Sequence, residues 1–219
     1  MQLLLVAATE LEIAPFLKKV PSTDFLITGV GCPAVIYHLV KRLQQIDYDM
    51  VIQAGIAGSF TQSLQLGDLV LVRQDNFADI GISEQNNFYS IFEKGFADKN
   101  SFPFTEGWLE NSHSIMDQFL LQKVKAVTVN TVSDSEMQTR QLISKFDPQI
   151  ETMEGAAFHY VCLNENIPFV QLRSISNYVG ERDKTKWKLK EAIDNLSEEL
   201  IKMIDRPMNY IPADKQINK

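Results

Sequence analysis

The chain has 219 residues, 45% of them apolar, enough for one globular domain that buries roughly 70% of its unfolded surface without disulfide or metal staples. A net charge of −7 argues against nucleic-acid binding, which needs clustered Lys and Arg. No run of about 18 apolar residues is present to span a membrane, and "MQLLLVAATELE" lacks the basic region of a secretory signal. Cys32 and Cys162 match no metal-ligand spacing and read as buried free thiols of a reducing compartment, so a cytoplasmic location is expected.

Strand-length apolar runs alternate with helix-periodic segments, which predicts a single α/β domain with a mixed, largely parallel central sheet flanked by helices. "QLLLVAA" (2–8) reads as a buried strand and Glu10 to Lys19 as a helix. "DFLIT" (24–28) is a second strand; Gly29 and Gly31 then turn the chain, and Pro33 suits the first turn of a helix to about Ile46. "DMVIQAG" (49–55) and "GDLVLVRQ" (67–74) are further strands. From 76 to 122 the pattern weakens, and a stretch of that length is expected to be a flap or lid. "VKAVTVNTVS" (124–133) predicts a strand, Ser135 to Phe146 a helix, 153–166 a helix and 168–176 the last buried strand. Residues 186–205 form an amphipathic closing helix, and 207–219 a polar tail expected to fray.

"GVGCPA" fits the G-x-G-x-x-A dinucleotide fingerprint between a strand and a helix. It does not follow the first strand, however, and the next strand ends in "IQAG" with no acid to hold a ribose. A tight turn with close helix–sheet packing is the better reading.

Polar residues gather where strands end, the edge at which open α/β sheets bind ligands. The stretches are "ATELE" (8–12), "AGIAGS" (54–59), "VNTVS" (129–133) and "RSISN" (173–177), joined by "ETMEGAA" (151–157), where Glu154 opens a helix. Taken singly, Glu10, Glu12 and Glu154 are ordinary first-turn acids. His38, His113 and His159 stand alone. His159 reads as a core or interface histidine, and Trp187 and Phe169 as core.

"VAATELE", "GVGCPA", "AGIAGSFTQSLQLGDLV", "ETMEGAAFHYV" and "IPFVQLRSISN" together resemble, in order and spacing, the purine nucleoside phosphorylase/nucleosidase superfamily over about residues 3 to 203. The ending "SNYVGERDKTKW" is similar to that of futalosine hydrolases of the alternative menaquinone pathway. The resemblance implies a nucleosidase domain over 1–206, a nucleoside substrate, no cofactor or metal, and a homodimer. By position it makes Glu12 the water-activating carboxylate and Glu154 the acceptor for the ribose 2′/3′-hydroxyls, with Met153 against the sugar. It makes Asn177 the residue at the leaving base. Ile56, Ala57 and Gly58 match the turn beside the sugar, and Thr131 and Val132 the strand end beside the base, although plain packing explains those five equally well. Arg173 matches an arginine that orders the site, or it makes a strand-end salt bridge. Phe77, Phe88, Phe92 and Phe102 either cover the base or form a dimer surface. Asp79 has no assigned role.

Phosphorylases of the superfamily carry a Gly-Asp-Pro-x-Arg signature and a second arginine before the glycine turn, bidentate donors suited to phosphate. Here "ATELEIA" and "VIQAGIAGS" stand in those places, and a carboxylate at 12 would repel a phosphate. Water is therefore the expected nucleophile. Where adenine nucleosidases place an aspartate, Asn177 presents a non-titrating NH2 donor, which suits a 6-oxopurine. A methylthioadenosine/adenosylhomocysteine nucleosidase, a phosphorolytic purine nucleoside phosphorylase and a non-enzymatic nucleoside binder are the competing readings.

Overall fold

The computed structural model describes residues 2–85, 87–181 and 183–205. The expected tail 207–219 and Arg182 lie outside the described residues.

Strand β1 (Leu3–Ala7) is buried along nearly its whole length because it runs in parallel between β2 (Asp24–Ile27) and β3 (Met50–Ser59). Helix α1 (Glu10–Lys19) follows β1, and α2 (Cys32–Leu43) follows β2, ending three residues earlier than expected. β4 (Leu69–Asp75), β8 (Gln122–Thr128), β9 (Ile150–Thr152) and β10 (Phe169–Tyr178) complete the main sheet, with the short β7 (Leu109–Glu110) paired outside β4. Helices α3 (Glu136–Phe146), α4 (Gly155–Asn164) and α5 (Leu189–Asp205) fill the connections.

The sheet is mixed and partly closed. β10 pairs in parallel with β3 and antiparallel with β4; β4 pairs with β8, β8 with β9, and β9 turns back antiparallel to β3. Those five strands form a ring, and Ala57, Val70, Val72, Val124, Ala126, Ile150 and Ile175, drawn from all five, share one apolar cluster that fills it. Closure removes exposed strand edges. Outside the ring, Ile13 and Phe16 of α1 pack with Leu196, Leu200 and Met203 of α5 on one face of the sheet. Val35 and Leu39 of α2 pack with Ala157, Phe158 and Val161 of α4 on the other.

β3 carries the feature that creates a site. It keeps β10 on one side throughout, but on the other its partner changes from β1, which ends opposite Gln53, to β9, which begins opposite Gly58. Residues 54–57 lie in the splay between those two partners.

Two expectations are corrected. The 76–122 segment holds a hairpin of β5 (Gly81–Glu84) and β6 (Asn87–Ser90), then β7 and a 3₁₀ turn at Ser114–Gln118. Strands of four and two residues are too short to show alternation in sequence. The segment predicted as strand 124–133 stops at Thr128, and β9, hidden in three residues, precedes α4.

Candidate active site

A cavity of about 330 Å³ opens at the splay. β3 lines it with Ile56, Ala57 and Gly58, the start of α1 with Thr9 and Glu12, the entry to α4 with Met153 and Glu154, and β10 with Ser176 and Asn177. Val132 completes one wall, and Trp187, Leu189 and Ile193 close the side beneath α5.

Glu12 sits at the third position of α1, where a glutamate reaches back to the cap residue in a capping box. Its Oε2 accepts from the Thr9 amide and hydroxyl, each at 3.0 Å. Its Oε1 accepts from the Ile56 N–H at 3.1 Å, a donor in the splayed stretch of β3. The carboxylate is buried yet still lines the cavity.

Gly55 lets Glu12 approach: a Cβ there would lie 2.8 Å from Glu12 Oε1 and 2.2 Å from Arg173 Nη1. Arg173 is fully buried and does not line the cavity. Its Nη2 donates to Gln53 Oε1 at 2.7 Å, and it forms no strand-end salt bridge among the described residues. It is a buried cation behind the site, holding the field rather than a ligand.

Glu154 arrives from the other wall. Its Oε1 accepts from the Gly31 N–H at 2.9 Å. Gly31 has φ of +92°, a conformation that favours glycine, and it caps α2. The apparent dinucleotide fingerprint thus presents its amide to a carboxylate of this chain, at a helix N-terminus that favours negative charge. Burial pushes the Glu154 carboxyl above its ordinary range; the Arg173 charge and the Gly31 N–H oppose the shift, and Glu12 adds to it.

Asn177 follows an irregularity in the β10–β3 register between Ile175 and Asn177, so that Ser176 and Asn177 both line the cavity. Tyr178 O can only accept, which identifies the Asn177 atom 3.1 Å away as Nδ2. Oδ1 then accepts from the Ser176 hydroxyl at 2.8 Å. The amide is oriented by its own strand and keeps one N–H free of these contacts.

Thr131 is exposed and does not line the cavity, because β8 has already ended at Thr128. No residue of 76–122 lines it either: Phe77 packs on Tyr160, Phe92 on Phe104, Phe88 joins Trp108 and Phe146, and Phe102 is exposed. Asp79 accepts from the backbone and side chain of Asn130. Phe169 is core, as expected, but Trp187 is half-buried at the cavity, its Nε1 donating to Glu181 O at 3.0 Å. Sequence reasoning also missed Glu151, a lining carboxylate that accepts from the Ser133 amide and hydroxyl at 3.1 and 2.5 Å. It is the β9 residue paired with Gly58, and a three-residue strand gives no sequence signal that would place it there.

His159 is fully buried, with Nδ1 3.1 Å from Leu109 O, and burial pushes it down to about 3, so it is a neutral core histidine. Cys32 and Cys162 are free and buried, and burial pushes both thiols up, Cys32 to about 12. Among the described residues no group of three or more His, Cys, Asp or Glu side chains is arranged to hold a metal, and no helix is long and apolar enough to cross a membrane. A larger cleft of about 740 Å³ lies between α3 and the β5–β6 hairpin, but it holds none of the buried carboxylates, whereas Glu12, Glu151 and Glu154 all line the smaller cavity.

The chain is 29% identical to a futalosine hydrolase of Thermus thermophilus, over 89% of this chain and 91% of that one. It is 26% identical to a 5′-methylthioadenosine/S-adenosylhomocysteine nucleosidase of Colwellia psychrerythraea, over 81% of this chain and 76% of the other. The solved futalosine hydrolase of Helicobacter pylori shares the fold with a TM-score of 0.75 at 18% identity, covering 93% of this chain and 97% of that one. The Phosphorylase superfamily profile matches residues 25–206. A match over that much of the chain, on a ring-closed α/β sheet with the same overall architecture, makes this protein a member of the phosphorylase superfamily.

Proposed function

We propose that the protein is a nucleosidase that hydrolyses the N-glycosidic bond of a 6-oxopurine nucleoside, with futalosine as substrate and hypoxanthine as released base. The observation that carries this reading is the placement of Glu12, Glu154 and Asn177 around one cavity lined by no Lys or Arg among the described residues. A phosphate co-substrate would meet three carboxylates there, Glu12, Glu151 and Glu154, and no cationic side chain among the described lining residues.

Glycosidic hydrolysis passes through an oxocarbenium-like ribosyl cation. Glu12 accepts a proton from water as the water oxygen bonds to the anomeric carbon. The carbon–nitrogen bond breaks with its electron pair going to the purine, which takes a proton from solvent. Glu154 accepts hydrogen bonds from the ribose hydroxyls, and the two carboxylates stabilise the positive charge that grows between them. The free N–H of Asn177 donates to O6 or N7 of the purine. Asparagine cannot supply a proton, so help for the leaving group comes from hydrogen bonding and from solvent.

Catalysis by a cytoplasmic homodimer belongs to the same reading, and size-exclusion chromatography with light scattering checks the dimer. The decisive assay incubates the protein with futalosine, inosine, methylthioadenosine and adenosylhomocysteine, each with and without phosphate, and quantifies free base. Hypoxanthine release from futalosine independent of phosphate is expected. Strict phosphate dependence overturns hydrolysis, and release of adenine in preference to hypoxanthine overturns the base assignment.

A further inference from the structure

A helix leaves its first N–H groups without partners inside the helix, and the cap residue's own side chain usually takes one. Glu154 is the cap residue of α4 and takes none, because its Oε1 is turned to Gly31. Two threonines from the neighbouring strands fill the place. Thr128 Oγ1, on β8, accepts from the Ala156 N–H at 2.8 Å. Thr152 Oγ1, on β9, accepts from the Gly155 N–H at 3.2 Å.

Hydroxyl valence fixes the direction of the rest. Thr128 donates its one proton to Asp75 Oδ1 at 2.9 Å. The 3.0 Å contact between the two threonine hydroxyls must then be donated by Thr152. Asp75 Oδ1 also accepts from the Asn76 N–H at 2.9 Å. Its Oδ2 lies against Gly155, where a Cβ would meet it at 2.2 Å and Gln171 Nε2 at 2.3 Å, so no side chain fits at 155. The relay, Asp75 to Thr128 and Thr152 to the α4 amides, is wholly buried and touches the cavity only at its Thr152 end.

We propose that Asp75 is a positioning residue: through the two threonines it caps α4 in place of Glu154 and so leaves the Glu154 carboxylate free to meet the ribose. The inference rests on the reading of Glu154 as acceptor for the ribose hydroxyls. Burial pushes the Asp75 carboxyl up to about 7, opposed by the Thr128 hydrogen bond and the Arg173 charge. Such an expensive carboxyl, remote from solvent, is consistent with a job that an apolar side chain could not do.

The test is a double-mutant cycle. Thr128→Val removes the hydroxyl while keeping shape, Thr128→Ser keeps the hydroxyl, and each is made with Glu154 intact and with Glu154→Gln. Thr128→Val is expected to lower kcat/KM for base release from a ribonucleoside about tenfold with Glu154 present. The loss should shrink to within about threefold in Glu154→Gln, since the group being positioned is then gone. Thr128→Ser and Asp75→Asn, which retain the hydroxyl and an Oδ1 acceptor, should stay within about threefold of the parent, whereas Asp75→Leu should match Thr128→Val. An equal loss in both Glu154 backgrounds, or a Thr128→Ser variant as poor as Thr128→Val, overturns the proposal.

Amide hydrogen exchange reads the cap without turnover. Faster exchange at Gly155 and Ala156 in Thr128→Val supports it, and unchanged exchange overturns it. If the parent protein releases base from no nucleoside yet shows the exchange effect, the nucleosidase reading fails while the cap stands. Should Asp75→Leu not fold, the Thr128 pair decides alone.

Discussion

At the start of α1 the chain caps itself: Thr9 and Glu12, three residues apart, bond to one another, and the spare oxygen of Glu12 reaches the Ile56 amide. At the start of α4 the cap comes from elsewhere, with Thr128 and Thr152 serving the amides while Glu154 bonds to Gly31, 123 residues away in sequence. The first carboxylate is held by local chemistry and the second by tertiary structure. In the proposed mechanism Glu12 takes a proton from water, a role that gains from a local, preorganised mount. In the same proposal Glu154 accepts from the sugar hydroxyls and must stand free of its own helix, and that freedom requires other groups to satisfy the helix end.

Four measurements break or sharpen this contrast. Glu12→Gln should lower kcat by about 100-fold or more, the loss typical of a positioned general base, while leaving the α1 cap largely intact. Activity within a few-fold of the parent would remove Glu12 from the chemistry. Next in size, Asn177→Asp should move the ratio of kcat/KM for 6-amino over 6-oxo nucleosides by about tenfold, the effect of one mismatched buried donor. An unchanged ratio breaks the pairing of Asn177 with a purine carbonyl.

Thr9→Ala should cost about 1 kcal/mol of stability in urea titrations through loss of a local cap. If it costs nothing, the Thr9–Glu12 pair does not cap α1. The smallest effect separates the two helix ends by pH. Asp75 binds its proton more tightly when folded, near pH 7, than its ordinary value of 3.8. Its contribution to stability is therefore complete below about pH 3.8 and lost as pH rises through 7. The buried, neutral His159 contributes the opposite slope, so the parent is read against Asp75→Asn, and its denaturant midpoint should fall relative to that variant from pH 5 to pH 7.5. Glu154 is shifted in the same direction, so some slope remains. A parent midpoint that does not fall relative to Asp75→Asn over the range contradicts the assignment.

Much of the architecture was legible because long apolar runs such as "LLLVA" and "FVQLRSIS" can only be buried strands when flanked by helix-periodic segments. β9 and the β5–β6 hairpin escaped because three or four residues carry no period. Their absence made 76–122 look like a lid, whereas it lies off the cavity. Arg173 and Asn177 look equivalent on a strand with period two, yet one lies behind the cavity and the other lines it, because the register shifts between Ile175 and Asn177. Trp187 gave no signal beyond its aromaticity, and only the approach of α5 placed it at the site.

The amino-acid sequence by itself determined the α/β class, the alternation of strands and helices, and the carboxylates and amide that deserve chemical interest, because burial and helix-start chemistry are written in local residue types. The tertiary structure alone decided that β3 exchanges β1 for β9, that Gly31 serves Glu154 instead of a dinucleotide, and that Asp75 stands behind the start of α4. Those choices depend on which strand becomes whose neighbour, and hydrogen bonds between residues far apart in the chain leave no periodic trace in the sequence.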